Sequence, residues 1–285
     1  MIIGAHLTIA KGMPAAVELA KSIESNAFQF FTRNPRGGKA RLLEAAEIEE
    51  FRRSRLQAGI KCVVGHMPYT INLGANRPDI HAFAKETLLT DLERFAAAEV
   101  DFVVVHPGSH VGDGIDAGIA RICDALAFVL ERYNEKKPML LLETMAGHGT
   151  EVGKNPEELR EIFTRLNWPE NMGVCLDSCH LLAAGYDLTT TEGIDRFLEE
   201  FDTVLGLERM KLMHLNDSKR ELGSHIDRHA KIGEGALGME GVQAVVTHPV
   251  LGKLPFILES PVDDYLEYGD EIQKVLRLRK AASLM

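Results

Sequence analysis

Leu140-Leu141-Leu142-Glu143 is three aliphatic residues followed at once by a carboxylate. The run is too short for a helix and shows no polar–apolar alternation, as expected of a strand buried on both faces. The same construction recurs on either side of it. Upstream, Phe102-Val103-Val104-Val105 ends at His106 and Cys62-Val63-Val64-Gly65 ends at His66. Downstream, Val174-Cys175-Leu176 ends at Asp177, Leu212-Met213 at His214 and Phe256-Ile257-Leu258 at Glu259. Two more apolar runs, Ile2–Ala5 and Ala27–Phe31, come first. Successive strand ends are about 35–45 residues apart, roughly one strand–helix unit.

The intervening segments carry helical periodicity. Ala16, Leu19, Ala20 and Ile23 fall at i, i+3, i+4 and i+7, as do Ile119, Ile122, Cys123 and Leu126. Asn155-Pro156-Glu157-Glu158 is a helix start: Asn caps, Pro occupies the first helical position, and the acids face the positive end of the dipole. Strand–helix alternation predicts an α/β fold with right-handed crossovers. Eight such units in 285 residues point to a single (β/α)8 TIM barrel domain over residues 1–285, with a doubly wound open sheet as the alternative. The charged, glycine-rich stretch from Ser218 to Ala236 reads as an active-site loop after the seventh strand.

A hydrophobic fraction of 45% is enough for a full core. No apolar run reaches the ~20 residues of a membrane span, so no membrane partner is expected. Met1–His6 reads as a strand and lacks the basic start, apolar stretch and cleavage site of a signal peptide, so a cytoplasmic location is expected. Cys62, Cys123, Cys175 and Cys179 form no C-x-x-C pair and are expected to be reduced thiols. The formal net charge of −10, taken alone, speaks against a nucleic-acid partner.

In a closed barrel the six strand-end residues would converge on the C-terminal mouth, where active sites of this fold lie. Three imidazoles and three carboxylates cannot be packed there without a counter-charge. Divalent cations resolve the conflict, and mixed His and carboxylate ligands suit Zn²⁺, with Mn²⁺ or Fe²⁺ possible. His180, three residues after Asp177, and the pair Asp227 and His229 extend the set to nine: His66, His106, Glu143, Asp177, His180, His214, Asp227, His229 and Glu259. Nine ligands exceed the needs of one ion, and two or three ions fit better. His81, His110, His148, His225 and His248 lack such placement and read as surface or supporting residues. His6 ends the first strand, where a hydrogen-bonding role is expected.

Three stretches resemble the signatures of the endonuclease IV family of apurinic/apyrimidinic endonucleases. They are His66-Met67-Pro68-Tyr69-Thr70-Ile71-Asn72-Leu73-Gly74, Gly173-Val174-Cys175-Leu176-Asp177-Ser178-Cys179-His180, and His214-Leu215-Asn216-Asp217-Ser218-Lys219 running on to Asp227-Arg228-His229. His106-Pro107-Gly108-Ser109-His110 and Ile232-Gly233-Glu234-Gly235 match as well, and the similarity covers nearly the whole chain. The resemblance implies a barrel with three zinc ions. His66, His106 and Glu143 would hold the first. Glu143 would bridge to a second held by Asp177, His214 and Glu259, and His180, Asp227 and His229 would hold the third. It also implies a monomer that cleaves double-stranded DNA 5′ to abasic sites, leaving a 3′-hydroxyl and a 5′-deoxyribose phosphate, and that trims blocked 3′ ends. A water shared by two cations, deprotonated near neutral pH, would be the nucleophile, and Glu143 or Glu259 could assist proton transfer. Three divalent ions would outweigh the charges of Glu143, Asp177, Asp227 and Glu259, so an acidic protein would present a positive mouth to phosphate.

DNA contacts are expected from the loop after the second strand, Phe31-Thr32-Arg33-Asn34-Pro35-Arg36, through Asn34 and Arg36, and from Tyr69. By the resemblance, Arg36 inserts into the base stack and Tyr69 fills space at the distorted step. Met145, His148, Pro35, Gly37-Gly38 and Ser260 depart from the family pattern; none of them removes a ligand. The competing reading is a divalent-metal sugar isomerase of the related xylose isomerase-like barrels. The imidazoles of His180 and His229 beside Asp227 are more than an isomerase needs.

Overall fold

The computed structural model describes residues 1–35, 40–133 and 135–282. Eight parallel strands close into a barrel: β1 (Ile3–Leu7), β2 (Ala27–Phe31), β3 (Cys62–His66), β4 (Phe102–Val105), β5 (Met139–Glu143), β6 (Met172–Asp177), β7 (Met210–His214) and β10 (Phe256–Leu258). Two short strands, β8 (Asp217–Ser218) and β9 (His229–Ala230), lie outside it. The barrel strands follow chain order around the ring, and β1 pairs with both β2 and β10 to close it. The barrel expectation therefore holds, and the open sheet does not.

Helices α1 (Met13–Ser22), α2 (Ala45–Gln57), α3 (Pro78–Ala97) and α4 (Ile115–Leu130) connect the first five strands. The later helices begin where local chemistry dictates. Helix α5 (Pro156–Arg165) starts after Asn155, whose side-chain oxygen accepts from the Glu158 N–H at 2.9 Å. The short α6 (Ser178–Ala184) is capped by Asp177, whose Oδ1 accepts from the His180 N–H at 2.8 Å. Asp177 thus ends a strand and starts a helix, which places His180 one turn beyond it. Helix α7 (Thr191–Val204) is capped by Thr190. Helices α8 (Gly238–Thr247) and α9 (Tyr268–Ala282) complete the outer layer. Among the described residues no helix is long and apolar enough to cross a membrane.

The core has two parts. A large shell lies between the sheet and the helices, and a small set fills the lumen: Ala27, Cys62, Val64, Val104, Leu141, Cys175, Leu212 and Ile257. Side chains alternate across a strand, so the residue two positions further faces the same way. Stepping on by two from the lumen set gives Gln29, His66, His106, Glu143, Asp177, His214 and Glu259. An apolar floor therefore carries a polar ring at the C-terminal end of the barrel.

The stretch after the seventh strand is not all loop. Strands β8 and β9 pair antiparallel in a two-stranded hairpin. Strands of two residues carry no readable periodicity, so the active-site loop read from the sequence gives no sign of this hairpin.

Candidate metal centre

The ring opens into a cavity of about 510 Å³ lined by His6, Phe31, Tyr69 and most of the polar ring. Glu143 sits at its centre. Its Oε2 lies 3.0 Å from His66 Nε2 and 3.2 Å from His106 Nε2, and its Oε1 lies 3.2 Å from His214 Nδ1. His214 Nδ1 is also 3.3 Å from Glu259 Oε2 and 3.8 Å from Asp177 Oδ2. Beside them, Asp227 spans two imidazoles: Oδ2 is 3.3 Å from His180 Nε2 and Oδ1 is 3.2 Å from His229 Nε2.

Among the described residues several groups bring their donor atoms within 4.8 Å of one another, His66–His214–Glu259 among them, and three of these groups together use all nine residues singled out in the sequence. These three are His66–His106–Glu143, Glu143–Asp177–His214–Glu259 and His180–Asp227–His229. Cys179 Sγ also lies in such a group with Asp177 and His229, beyond what the sequence suggests. Its thiol is pushed up to about 12, chiefly by burial and then by the Asp177 charge.

Four of the imidazoles have their other ring nitrogen already engaged. His66 Nδ1 lies 2.6 Å from the Met67 carbonyl, His180 Nδ1 2.8 Å from that of Thr144 and His229 Nδ1 3.2 Å from that of Glu259. His214 reverses the pattern, with Nε2 2.8 Å from Gln29 Oε1, so its Nδ1 faces the carboxylates. An acceptor behind each ring keeps the proton on that side and turns the lone pair inward, the usual support of a metal-binding imidazole. The inward Nε2 atoms of His180 and His229 are buried and lack hydrogen-bond partners. A divalent cation fits these donors.

The electrostatics follow from burying so many charges together. Burial pushes the Glu143 carboxyl up, but the charges of His214 and His106 and the contacts of His106 and His180 hold it well below the usual range. Glu259 is held down in the same way, against burial, by His214, His6 and His66. Burial lowers the His229 imidazole, yet the Asp227 carboxylate beside it and the charges of Asp177 and Glu259 lift it to about 9. His180 and His214 are also raised well above their ordinary value, because neighbouring negative groups outweigh burial. Protons on these rings balance the carboxylates in the protein alone; metal ions would replace them.

Sequence reasoning misses Gln29, Asn216 and Thr144. Gln29 is fully buried and donates from Nε2 to Glu259 Oε1 at 2.6 Å while its Oε1 faces His214. Asn216 Nδ2 donates to Asp177 Oδ2 at 2.7 Å and to Glu259 Oε2 at 3.2 Å. Thr144 Oγ1 accepts from the Asp177 N–H at 2.9 Å. A lone amide inside Ala27-Phe28-Gln29-Phe30-Phe31 is the available signal for Gln29, and the run His214-Leu215-Asn216 for Asn216. His6 hydrogen-bonds as expected, with Nδ1 3.0 Å from Gln29 Nε2 and 3.3 Å from Glu259 Oε1.

Of the three expected DNA-contact residues, Tyr69 is 58% exposed at the rim, its ring 6.2 Å from that of Phe31. Asn34 lines a neighbouring cavity of about 400 Å³ that shares His6, Phe31 and Tyr265 with the first. Arg36 lies outside the described residues. His81, His225 and His248 do lie outside the three groups, bonded to the Arg121 carbonyl, the Ala146 carbonyl and Asp195.

Residues 17–282 match the family model described as a xylose isomerase-like TIM barrel. The chain is 48% identical over 279 residues to a probable endonuclease 4 of Moorella thermoacetica, covering 98% of this chain and 99% of that protein. Among solved structures, endonuclease IV from Thermus thermophilus superposes with a TM-score of 0.85 at 37% identity, over 99% of this chain and 98% of that one. A D-tagatose 3-epimerase-like protein matches at a TM-score of 0.74 and 18% identity, over 99% of this chain and 100% of that one; at that distance only the barrel is shared.

Proposed function

Since the chain belongs to the endonuclease IV family of xylose isomerase-like TIM barrels, we propose that it is a single-domain DNA-repair phosphodiesterase that cuts 5′ to abasic sites. The cut would leave a 3′-hydroxyl and a 5′-deoxyribose phosphate, and blocked 3′ ends would be trimmed at the same centre. The observation that carries this reading is the set of three donor groups around one cavity.

His66, His106 and Glu143 would hold one Zn²⁺, Glu143, Asp177, His214 and Glu259 a second, and His180, Asp227 and His229 a third. When bound, such ions polarise phosphate oxygens and lower the pKa of water near them, which suits in-line displacement at phosphorus. Glu143 presents one oxygen to each of the first two groups and so fixes their separation. Gln29 and Asn216 hold the Glu259 carboxylate from two sides at the cavity wall, and Glu143 or Glu259 would assist proton transfer from the attacking water. Tyr69, Asn34 and Arg36 would contact the duplex at the rim, where an abasic nucleotide is cheap to extrude.

The test is a duplex with one abasic site, incubated with the zinc-loaded protein with and without a strong chelator. Nicking 5′ to the lesion in the untreated sample alone is the expected outcome. A protein that leaves this duplex whole but interconverts aldoses and ketoses is a sugar isomerase, and the proposal fails.

A further inference from the structure

Asp217 belongs to none of the three donor groups and does not line the cavity, yet its side chain is completely buried. Among the described residues it pairs with no Lys, Arg or His. Its partners are instead backbone N–H groups. Oδ1 accepts from Ser218 at 2.7 Å and Leu237 at 2.9 Å, and Oδ2 from Gly233 and Gly235, both at 3.0 Å. The N–H of Gly238, the first residue of α8, approaches Oδ2 to 3.2 Å. A carboxylate is acceptor-only, so five converging donors and the positive end of a helix suit it and suit no neutral side chain.

Every one of these donors except Ser218 follows β9, the strand that carries His229. β8 pairs with β9 so that Asp217 faces Ala230 and Ser218 faces His229. The Ser218 carbonyl accepts from Ala236 at 2.7 Å, and Lys219 N–H donates to the Arg228 carbonyl at 2.8 Å. The segment from Arg228 to Gly238 is therefore wrapped around one anion. The wrap is tight: a Cβ on Gly235 would stand 2.2 Å from the Ser218 carbonyl oxygen and 2.5 Å from Asp217 Oδ1.

This matters because the three donor groups are held differently. The first two take their donors from strands and strand ends of the barrel, fixed by the sheet itself. The third takes Asp227 and His229 from the hairpin outside it. We infer that Asp217 is a positioning residue for the Asp227–His229 segment, and through it for the ion held by His180, Asp227 and His229. The inference rests on the metal-centre reading above.

An amide at this position would replace one acceptor by a donor and face it against backbone N–H groups, leaving some of them buried and unsatisfied. D217N should therefore hold about one ion per chain fewer than the parent protein, or hold one ion about 10- to 100-fold more weakly, with the others unchanged. Zinc titration and metal analysis of the folded fraction, with circular dichroism alongside, read this directly. A parent that binds zinc and a D217N that keeps all of it at equal affinity overturn the inference alone. Equal weakening of every ion overturns it too, since that is what a general loss of stability does. A parent that binds no zinc removes the metal-centre reading and this inference together. Should D217N fail to fold, G235A, whose Cβ would press on the Ser218 carbonyl and on Asp217 Oδ1 while leaving the charge in place, is the second variant, and the same readout decides.

Discussion

Glu143 faces four imidazoles at once: His66 at 3.0 Å, His106 and His214 at 3.2 Å and His180 at 3.3 Å. A residue so placed is indispensable to the geometry, so its substitution cannot separate structure from chemistry. Glu259 can. It stands just past the end of the eighth barrel strand, and Glu259→Gln keeps its size and backbone bonds while turning one NH2 toward the amide donor of Gln29 or Asn216. We expect that variant to fold normally and to lose about 10²- to 10⁴-fold in nicking rate, measured on the abasic duplex beside a circular dichroism control. Gln29→Leu removes the acceptor behind His214 and should weaken one ion about 10- to 100-fold in a zinc titration. The imidazoles also fix a pH dependence for chelator-treated protein. His229 is raised from 6.5 to about 9, so its contribution to stability is complete below 6.5 and is lost as pH rises through about 9. The carboxyls of Glu143 and Glu259 are lowered, so their contribution is present above about 4.5 and is lost in acid. Melting of the chelated protein should therefore peak between about pH 4.5 and 6.5, while zinc affinity rises with pH as the rings shed protons. A melting temperature that climbs from about pH 6.5 to 9 in chelator would contradict this.

The elements are legible in the sequence to different degrees, for reasons that can be named. The strand ends stand out because each short apolar run stops on a charged or imidazole side chain. The start of α5 is readable because Asn155 and Pro156 do local work that needs no tertiary partner. Asn155→Ala should cost about 1 kcal/mol in urea unfolding and leave nicking unchanged. The hairpin of β8 and β9 is not readable, because its order comes from backbone bonds to Asp217 across roughly twenty residues. Gln29 escapes a reading confined to the ends of the apolar runs. Inward-facing positions continue along β1 and β2 in the same register, and reading them by twos reaches Gln29 and His6. The ligand partition is carried by likeness to a family; spacing alone reaches only six converging residues.

At the scale of the whole molecule, an acidic chain with a net charge of −10 is asked to approach a polyanion. On the proposed reading, metal bound at the mouth would decide the sign of that encounter. Removing the metal should therefore weaken DNA binding as well as stop cleavage. Fluorescence anisotropy with an uncleavable abasic analogue should show affinity falling about tenfold or more in chelator, with the gap narrowing at high salt. Unchanged affinity would place recognition in the rim alone. The floor beneath the polar ring has a consequence of its own. Its apolar residues close the barrel without touching the cavity, and the ring above is reached by one further step along each strand. Stability and chemistry are thus inscribed on separate storeys of the same scaffold. Positions 6 and 29 are the two seats in the upper storey that hold no expected ligand. An engineer could rewrite them, adding a donor or withdrawing one, while the storey that keeps the barrel shut stays as it is.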